Sequence, residues 1–79
     1  MTHPRNPPKD PLDHEPAAVT YARVQAGLTK TQLAAACEVS LSLISEIESG
    51  TRNATPAMII KLAEALGCPR VVLERKRHQ

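Results

Sequence analysis

The stretch from Leu28 to Gly50, LTKTQLAAACEVSLSLISEIESG, constrains the fold of this 79-residue chain more than any other part. Thr29 and Gln32 have the spacing of a capping box, in which each side chain satisfies a free backbone N–H group at a helix start. Ser40 is a second N-cap candidate a few residues later, and Gly50 suits the end of the helix that follows it. The stretch therefore predicts two short helices joined by a tight turn.

Two helices joined by so short a turn must cross at a large angle, which is the helix-turn-helix arrangement. Ala34 is the small residue that lets the two helices approach closely. Val39, Ile44 and Ile47 are expected to fill the angle between them. The second helix would then present its polar side outward, which favours a role in the major groove of DNA. An ordinary helical hairpin without a DNA role is the alternative.

Three motifs follow one another in a single register over residues 17–68. They are L-T-x-x-Q-L-A, then V-S-x-S-x-I-S-x-I-E-x-G, and then P-x-x-x-x-K-L-A-E-A-L-G. With these motifs the chain resembles the Cro/C1-type (Xre-family) helix-turn-helix proteins. The resemblance implies an all-α fold, a compact five-helix lambda-repressor-like domain whose third helix is the recognition helix.

The resemblance also implies which residues of the recognition helix contact base edges. By their positions in that helix they are Leu41, Ser42 and Glu46. Leu41 can pack on a thymine methyl group, Ser42 can donate or accept, and Glu46 can accept from the N4 amino group of cytosine. None of them forms the bidentate arginine–guanine or glutamine–adenine pair. Specificity is therefore expected to be modest, or to depend on DNA shape and on two half-sites bound together.

Five further residues are expected to contact phosphate: Lys30, Ser40, Ser45, Arg52 and Asn53. Lys30 begins helix two, where its charge and the free N–H groups of the helix end would face a phosphate. Members of the family often have glutamine at that place. The hydroxyl groups of Ser40 and Ser45 could reach phosphates or bases. Arg52 and Asn53 lie in the loop after the recognition helix, where the family often contacts the DNA backbone.

In the family, an arginine at the position of Arg23 pairs with the glutamate of the I-E-x-G motif, here Glu48. The implied ion pair ties helix one to the end of the recognition helix. Its role is orientation more than net stability, because desolvation offsets much of a buried pair's attraction. Two solvated surface charges are the alternative. Glu38 stands where the family often has glycine, so a positive φ there would cost on the order of 1 kcal/mol.

The first fifteen residues differ in composition from the rest. Residues 1–15 hold four of the seven prolines, few apolar residues and mixed charge, which predicts a disordered N-terminal arm. An arm that enters the minor groove with Arg5 and Lys9 is the functional alternative. Asp10, Asp13 and Glu15 offset those charges, which favours a solvated tail.

Residues 16–73 are predicted to form the helix-turn-helix domain. Helix one begins at Pro16, where the missing N–H does no harm, and runs to about Ala26. Its helically spaced inward candidates are Ala18, Tyr21, Ala22 and Gln25, with Val24 as a further one. Helix four begins at Thr55 and Pro56, an N-cap followed by proline at the first helical position. Its apolar stripe is Met58, Ile59, Leu62, Ala63 and Leu66.

The chain after helix four leaves two alternatives open. Val71, Val72 and Leu73 either close the core or meet a second subunit. Residues 74–79 form a basic C-terminal tail, which either binds phosphate or places favourable cations at a helix C-terminus.

Composition argues against several other classes of protein. The chain has no Trp, no Phe and a single Tyr, which argues against modules that stack bases on aromatic platforms. A net charge of +2 is only mildly basic, and DNA affinity depends more on local clusters than on net charge. Cys37 and Cys68 lack metal-ligand spacing, so we expect reduced thiols, with no disulfide, no metal and no cofactor.

Neither catalysis nor membrane insertion is expected. His3, His14 and His78 lie in the predicted tails, and the serines of the recognition helix have no histidine near them in sequence to serve as a base. No apolar run reaches membrane-spanning length, and no signal peptide is evident. The expected location is therefore the cytoplasm, in association with the nucleoid.

Together these expectations favour a sequence-specific, DNA-binding transcriptional regulator of prokaryotic or phage type. It would contact the major groove of double-stranded DNA with helix three, about Leu41 to Ser49. A homodimer on a two-fold symmetric operator is expected, with half-sites about 34 Å apart. The alternative is a protein-interaction module such as an antitoxin or an adaptor, which would dock a protein partner through Leu41, Leu43 or the tails.

Overall fold

Four α-helices and one 3₁₀ helix make up the fold, in a computed structural model that describes residues 12–75. The helices are α1 (Pro16–Gln25), α2 (Lys30–Cys37), α3 (Leu41–Ser49), α4 (Pro56–Leu66) and the 3₁₀ helix (Arg70–Val72). The only extended pairing in the described part is an isolated antiparallel bridge between His14 and Glu74. The prediction of an all-α helix-turn-helix fold is confirmed. The five-helix count is slightly wrong, because the last element is a single 3₁₀ turn.

The helix starts follow from local capping chemistry. Thr29 Oγ1 accepts from the Gln32 N–H at 3.0 Å, and the Gln32 side chain accepts from the Thr29 N–H at 2.9 Å. Ser40 and Thr55 each accept an N–H of the first turn of α3 and α4, respectively. These bonds satisfy backbone donors that have no partner within the helix. The residues around each N-cap are therefore enough to predict where α2, α3 and α4 begin.

The turn between α2 and α3 depends on one residue in the left-handed conformation. Glu38 has φ 59° and ψ 43°, and it is the one non-glycine residue of the described chain with positive φ. The N–H of Glu38 donates to Ala35 O at 3.1 Å, and the N–H of Val39 donates to Ala34 O at 3.0 Å. These bonds end α2 at Cys37, and α3 begins at Leu41 after only three intervening residues. The conformation costs on the order of 1 kcal/mol in a residue with a Cβ atom.

The core is aliphatic and draws on all four α-helices and on the residue after the 3₁₀ helix. Its fully buried side chains are Val19, Leu33, Ile44, Ile47, Leu62 and Leu73. The inward face of α1 differs from the one predicted. Val19 is fully buried, whereas Tyr21 is 66% exposed and Val24 is also exposed. The weak hydrophobic pattern of α1 does not define a face, so packing against α3 decides which side is covered.

Residues 12–15 form a segment, here called the N-terminal strap, that packs against the helical domain. Leu12 and His14 are buried. The N–H of Glu15 donates to Leu73 O at 2.8 Å, and the N–H of Arg75 donates to Asp13 O at 3.0 Å. The prediction of a disordered arm over residues 1–15 is therefore wrong for residues 12–15. Backbone pairing with the chain after the 3₁₀ helix is a non-local contact that local composition does not report.

Other parts of the predicted tails lie outside the described residues. Arg5 and Lys9, named for a minor-groove arm, belong to residues 1–11, and most of the basic tail belongs to residues 76–79. Leu73 closes the core, while Val71 and Val72 remain exposed. Within residues 12–75, none of the helices has the length and apolar character needed to cross a membrane.

The crossing of α2 and α3 offers a test of the packing. Ala34 is 4% exposed, and its neighbour Ala35 on the same helix is exposed. We expect Ala34→Leu to lower the free energy of unfolding by about 1–3 kcal/mol, because extra methylene groups do not fit a close-packed crossing. Ala35→Leu is the matched control and should leave stability nearly unchanged. Thermal or urea denaturation measures both, and equal stabilities would contradict the assigned crossing.

Candidate nucleic-acid interface

The outer face of α3 is defined by the residues that the helix buries. Ile44 and Ile47 are fully buried. At about 100° per residue, Leu41, Ser42 and Glu46 fall within an arc of about 140° on the other side of the helix. Ser45 and Ser49 lie within the same arc. The buried isoleucines therefore direct one polar, serine-rich face away from the core.

All three predicted base-contacting residues lie on this outer face. Leu41 is 47% exposed, Ser42 is exposed, and Glu46 is half-buried. The structure thus places the three side chains on one accessible side of α3. That accessibility is required for contact with base edges in a major groove. Base contact itself stays a prediction.

Glu46 and Arg52, predicted to contact a base and a phosphate, form an ion pair with each other. Arg52 Nε lies 2.6 Å from Glu46 Oε1, and the two side chains are 57% and 43% exposed. The Glu46 carbonyl oxygen also accepts the N–H groups of Gly50 and Thr51 at 3.0 Å each. A pair this exposed contributes at most about 1 kcal/mol. A DNA phosphate could therefore replace Glu46 as the partner of Arg52 at small cost.

The serines and the lysine predicted to contact phosphate lie at three different places. Lys30 is exposed at the first position of α2. Ser40 is the N-cap of α3, where its Oγ accepts from the Leu43 N–H at 3.1 Å. That bond uses a lone pair and not the hydroxyl hydrogen, so Ser40 can still donate to a phosphate. Ser45 lies half-buried on the outer face of α3.

Asn53, the remaining phosphate candidate, is bound by the N-terminal strap. Its Oδ1 accepts from the Asp13 N–H at 2.7 Å, and its Nδ2 donates to the Asp13 carboxylate at 2.9 Å. The amide oxygen and one of the two Nδ2 hydrogens are thus bonded within the protein. Phosphate contact by Asn53 stays a prediction, and the second Nδ2 hydrogen is the donor that remains for it. Nothing in the local sequence signals the contact between Asp13 and Asn53, because 40 residues separate the two partners.

Arg23 and Glu48 are brought together between α1 and α3. Arg23 Nε lies 2.7 Å from Glu48 Oε2, with side-chain exposures of 14% and 4%. Thr20 Oγ1 donates to Glu48 Oε1 at 2.8 Å, and an Arg23 nitrogen donates to Leu28 O at 2.9 Å. The network joins α1, the end of α3 and the connection to α2. The contributions of Thr20 and of the Leu28 carbonyl were missed by the sequence analysis.

His14 is a second residue of the site that sequence reasoning missed. It is fully buried, with Nε2 2.7 Å from Ile47 O and Nδ1 accepting from the Ala54 N–H at 3.2 Å. It had been assigned to a disordered tail, away from any function. Leu12 and His14 both face inward, and their spacing of two residues is typical of an extended segment with one buried face. This spacing was the sequence signal that could have indicated a buried His14.

The cysteines fit the expectation of free thiols. Cys37 is buried and Cys68 is half-buried, and neither forms a disulfide. Burial raises the pKa of the Cys37 thiol, with a smaller opposing effect from the charge of Lys61. Among residues 12–75, no group of three or more His, Cys, Asp or Glu side chains is arranged to hold a metal ion.

Comparison with known proteins places the chain in a family. A family model described as helix-turn-helix matches residues 19–73. The structure is similar to the clp gene regulator ClgR from C. glutamicum, with 30% identity, TM-score 0.68, and coverage of 71% of this chain and 73% of that one. It is also similar to the restriction-modification controller protein C.AhdI from Aeromonas hydrophila, with 28% identity, TM-score 0.70, and coverage of 72% and 86%.

A third similar structure, the hypothetical transcription factor NHTF from Neisseria, supports the fold alone. It is 24% identical, with TM-score 0.65 and coverage of 87% of this chain and 86% of that one. A search of curated proteins finds no significant match. The class of protein is nevertheless defined by the fold and the outward face of α3. The chain belongs to the Cro/C1-type helix-turn-helix family of DNA-binding transcriptional regulators.

The ion pair between α1 and α3 can be tested by comparing the loss of one partner with replacement of the whole pair. Arg23→Ala should lower the free energy of unfolding by about 3–5 kcal/mol, because it leaves the buried Glu48 carboxylate without its cation. Replacing both residues, as Arg23→Leu with Glu48→Met, should cost less than this single change. The exposed pair is the control, since Arg52→Ala should change stability by about 1 kcal/mol or less. Urea denaturation distinguishes these outcomes, and equal losses for Arg23→Ala and Arg52→Ala would contradict the difference in burial.

Proposed function

We propose that this protein is a sequence-specific transcriptional regulator that binds the major groove of double-stranded DNA with α3. The observation that carries the proposal is the accessible outer face of α3, with Leu41, Ser42 and Glu46 on one side and Arg52 beside it. Family membership supports DNA as the partner. The similarity to a clp gene regulator and to a restriction-modification controller protein supports a regulatory role.

Selection from a random DNA pool tests this function. Fragments retained by the protein should share a two-fold symmetric motif with half-sites about 34 Å apart, one helical turn. Affinity should fall steeply with salt, because each phosphate contact releases condensed counterions. Sequencing of retained fragments and fluorescence anisotropy at several salt concentrations provide the measurements. Weak, motif-free binding would contradict a sequence-specific regulator.

The roles proposed for Glu46 and Arg52 differ, and two substitutions separate them. Glu46→Ala should change which operator sequence is preferred, because it removes an acceptor for the cytosine amino group. It also releases Arg52 from its ion pair and removes a negative charge that repels DNA. Arg52→Ala should weaken binding to all sequences about equally, since phosphate contacts carry no direct sequence information. If the two variants lose affinity uniformly across a panel of single-base operator variants, Glu46 is not a base-contacting residue.

We further propose that two copies associate through an apolar groove formed by α1, the end of α4 and the 3₁₀ helix. Its lining residues are Tyr21, Ala22, Gln25, Ala26, Leu66, Cys68 and Val72. None of these side chains carries a formal charge, and Tyr21 and Val72 are exposed. A two-fold interface sets the same surface against itself, so an uncharged apolar surface avoids like-charge repulsion. This supports a second copy as the occupant.

Sedimentation analysis tests the association. Val72→Glu should shift the protein towards monomer, because it places a charged carboxylate in the apolar groove of each copy. The control is Ile60→Glu, which places the same charge at an exposed apolar position of α4 outside the groove. A wild-type protein that stays monomeric at high concentration without DNA, or an Ile60→Glu effect as large as that of Val72→Glu, would argue against this interface.

A second function has one observation in its favour. Leu41 is 47% exposed at the start of α3, which is more apolar surface than contact with a groove requires. A protein-interaction module, such as an antitoxin or an adaptor, would use that side chain as an anchor for a protein partner. The DNA selection distinguishes the two, because an exclusive protein-docking role predicts no retained motif.

A further inference from the structure

His14 joins the end of α3 to the loop that follows it. The imidazole belongs to the N-terminal strap, 33 residues before Ile47 and 40 residues before Ala54. One ring nitrogen lies 2.7 Å from the Ile47 carbonyl oxygen, and the other accepts the Ala54 N–H at 3.2 Å. Because a carbonyl can only accept and an N–H can only donate, the two bonds together require the neutral ring with its proton on Nε2.

The two bonds satisfy the Ile47 carbonyl and the Ala54 N–H, which have no regular helical partner. The last carbonyls of a helix have no i+4 donor. At the end of α3 the N–H of Thr51 donates to Glu46 O, so Ile47 O receives only a long 3.3 Å bond from Gly50. Ala54 is 1% exposed, so its N–H is not available to water. His14 therefore supplies the donor and the acceptor that this buried junction needs.

The junction controls where the loop at residues 50–54 lies relative to α3. That loop carries Arg52, and its last two residues are both held by the strap. Asn53 is paired with Asp13, and Ala54 is paired with His14. The strap is itself fixed by the 2.8 Å bond from the Glu15 N–H to Leu73 O. Movement of the strap would therefore move the loop and the guanidinium group that it carries.

We propose that His14 is a positioning residue for DNA binding: it fixes the loop at residues 50–54 against the C-terminal end of α3 and so places Arg52 for phosphate contact. The inference rests on the proposed DNA-binding function. It differs from a purely structural role in one measurable respect. A side chain that only fills the core changes the folded fraction, whereas a positioning residue also changes the affinity of molecules that are folded.

The test uses His14→Leu, which replaces the imidazole with an apolar side chain in the core and removes both hydrogen bonds. Cys37→Ala is the control, because it also alters a buried side chain but lies at the contact between α2 and α4. Amide hydrogen exchange is measured without DNA and normalised to the slowest amides of α2 and α4, which removes the effect of global stability. Anisotropy with the selected operator is measured at a temperature where every variant is folded.

His14→Leu should lower the normalised protection of the Ala54 amide by about tenfold, and operator affinity by a similar factor, because the loop is released from α3. Cys37→Ala should leave both normalised quantities unchanged. Unchanged protection at residues 50–54, or unchanged affinity of folded His14→Leu, overturns the proposal. If wild-type protein binds no DNA at all, the proposed function fails, and the exchange measurement still decides separately whether His14 fixes the loop.

His14→Asn keeps the test decisive if the leucine variant does not fold. The asparagine Oδ1 takes the place of Nδ1 and can accept the Ala54 N–H, while its nitrogen does not reach Ile47 O. Amide exchange should then rise at Gly50 and Thr51 but not at Ala54, and operator affinity should fall relative to that of the wild-type protein. Uniform exchange changes across the domain would overturn the proposal.

Discussion

Burial of Ile44 and Ile47 against the rest of the core is the interaction on which the orientation of α3 depends. Both side chains are fully buried, so the rotation of α3 about its own axis is fixed. A helix rotated by half a turn would expose two isoleucines and bury polar side chains without partners, at a cost of several kcal/mol. The serine-rich side of α3 therefore faces outward as a direct consequence of core packing. Ala34 makes the arrangement feasible, because only a small side chain permits the close crossing with α2.

The two carboxylates of α3 have different environments, and each is neutralised by an arginine from another element. Glu48 is almost fully buried, and Arg23 and Thr20 hold it against α1. Glu46 is partly exposed and pairs with Arg52 of the following loop. α3 carries no positive charge of its own. These pairs offset the negative charge of α3, and they connect the helix to the elements on both sides.

The N-terminal strap adds a second set of constraints at the end of α3. Its backbone pairs with the chain after the 3₁₀ helix, and His14 and Asp13 hold the loop that carries Arg52. The strap thus closes the domain at the place where α3 ends. The turn at Gly50 leaves the Ile47 carbonyl and the Ala54 N–H without regular helical partners. The buried His14 ring bonds to both groups.

Local sequence determined the helices, their starts and the class of fold. The capping box at Thr29, the N-caps Ser40 and Thr55, and the apolar spacing of α3 and α4 all act within a few residues, so they can be recognised without tertiary information. The pairing of Arg23 with Glu48 was also anticipated, though from the family resemblance and not from spacing.

Only the tertiary structure decided which face of α1 is buried, how the strap packs and which polar groups pair across the site. Val19 and not Tyr21 is covered, because α1 has no strong apolar side of its own and its neighbour selects one. The bonds of His14 and Asp13 join residues that are 33 to 40 positions apart in the sequence. Local composition does not predict contacts over such distances. The local sequence therefore specified the helices. Long-range hydrogen bonds and packing specified how the outer face of α3 and the loop after it are positioned.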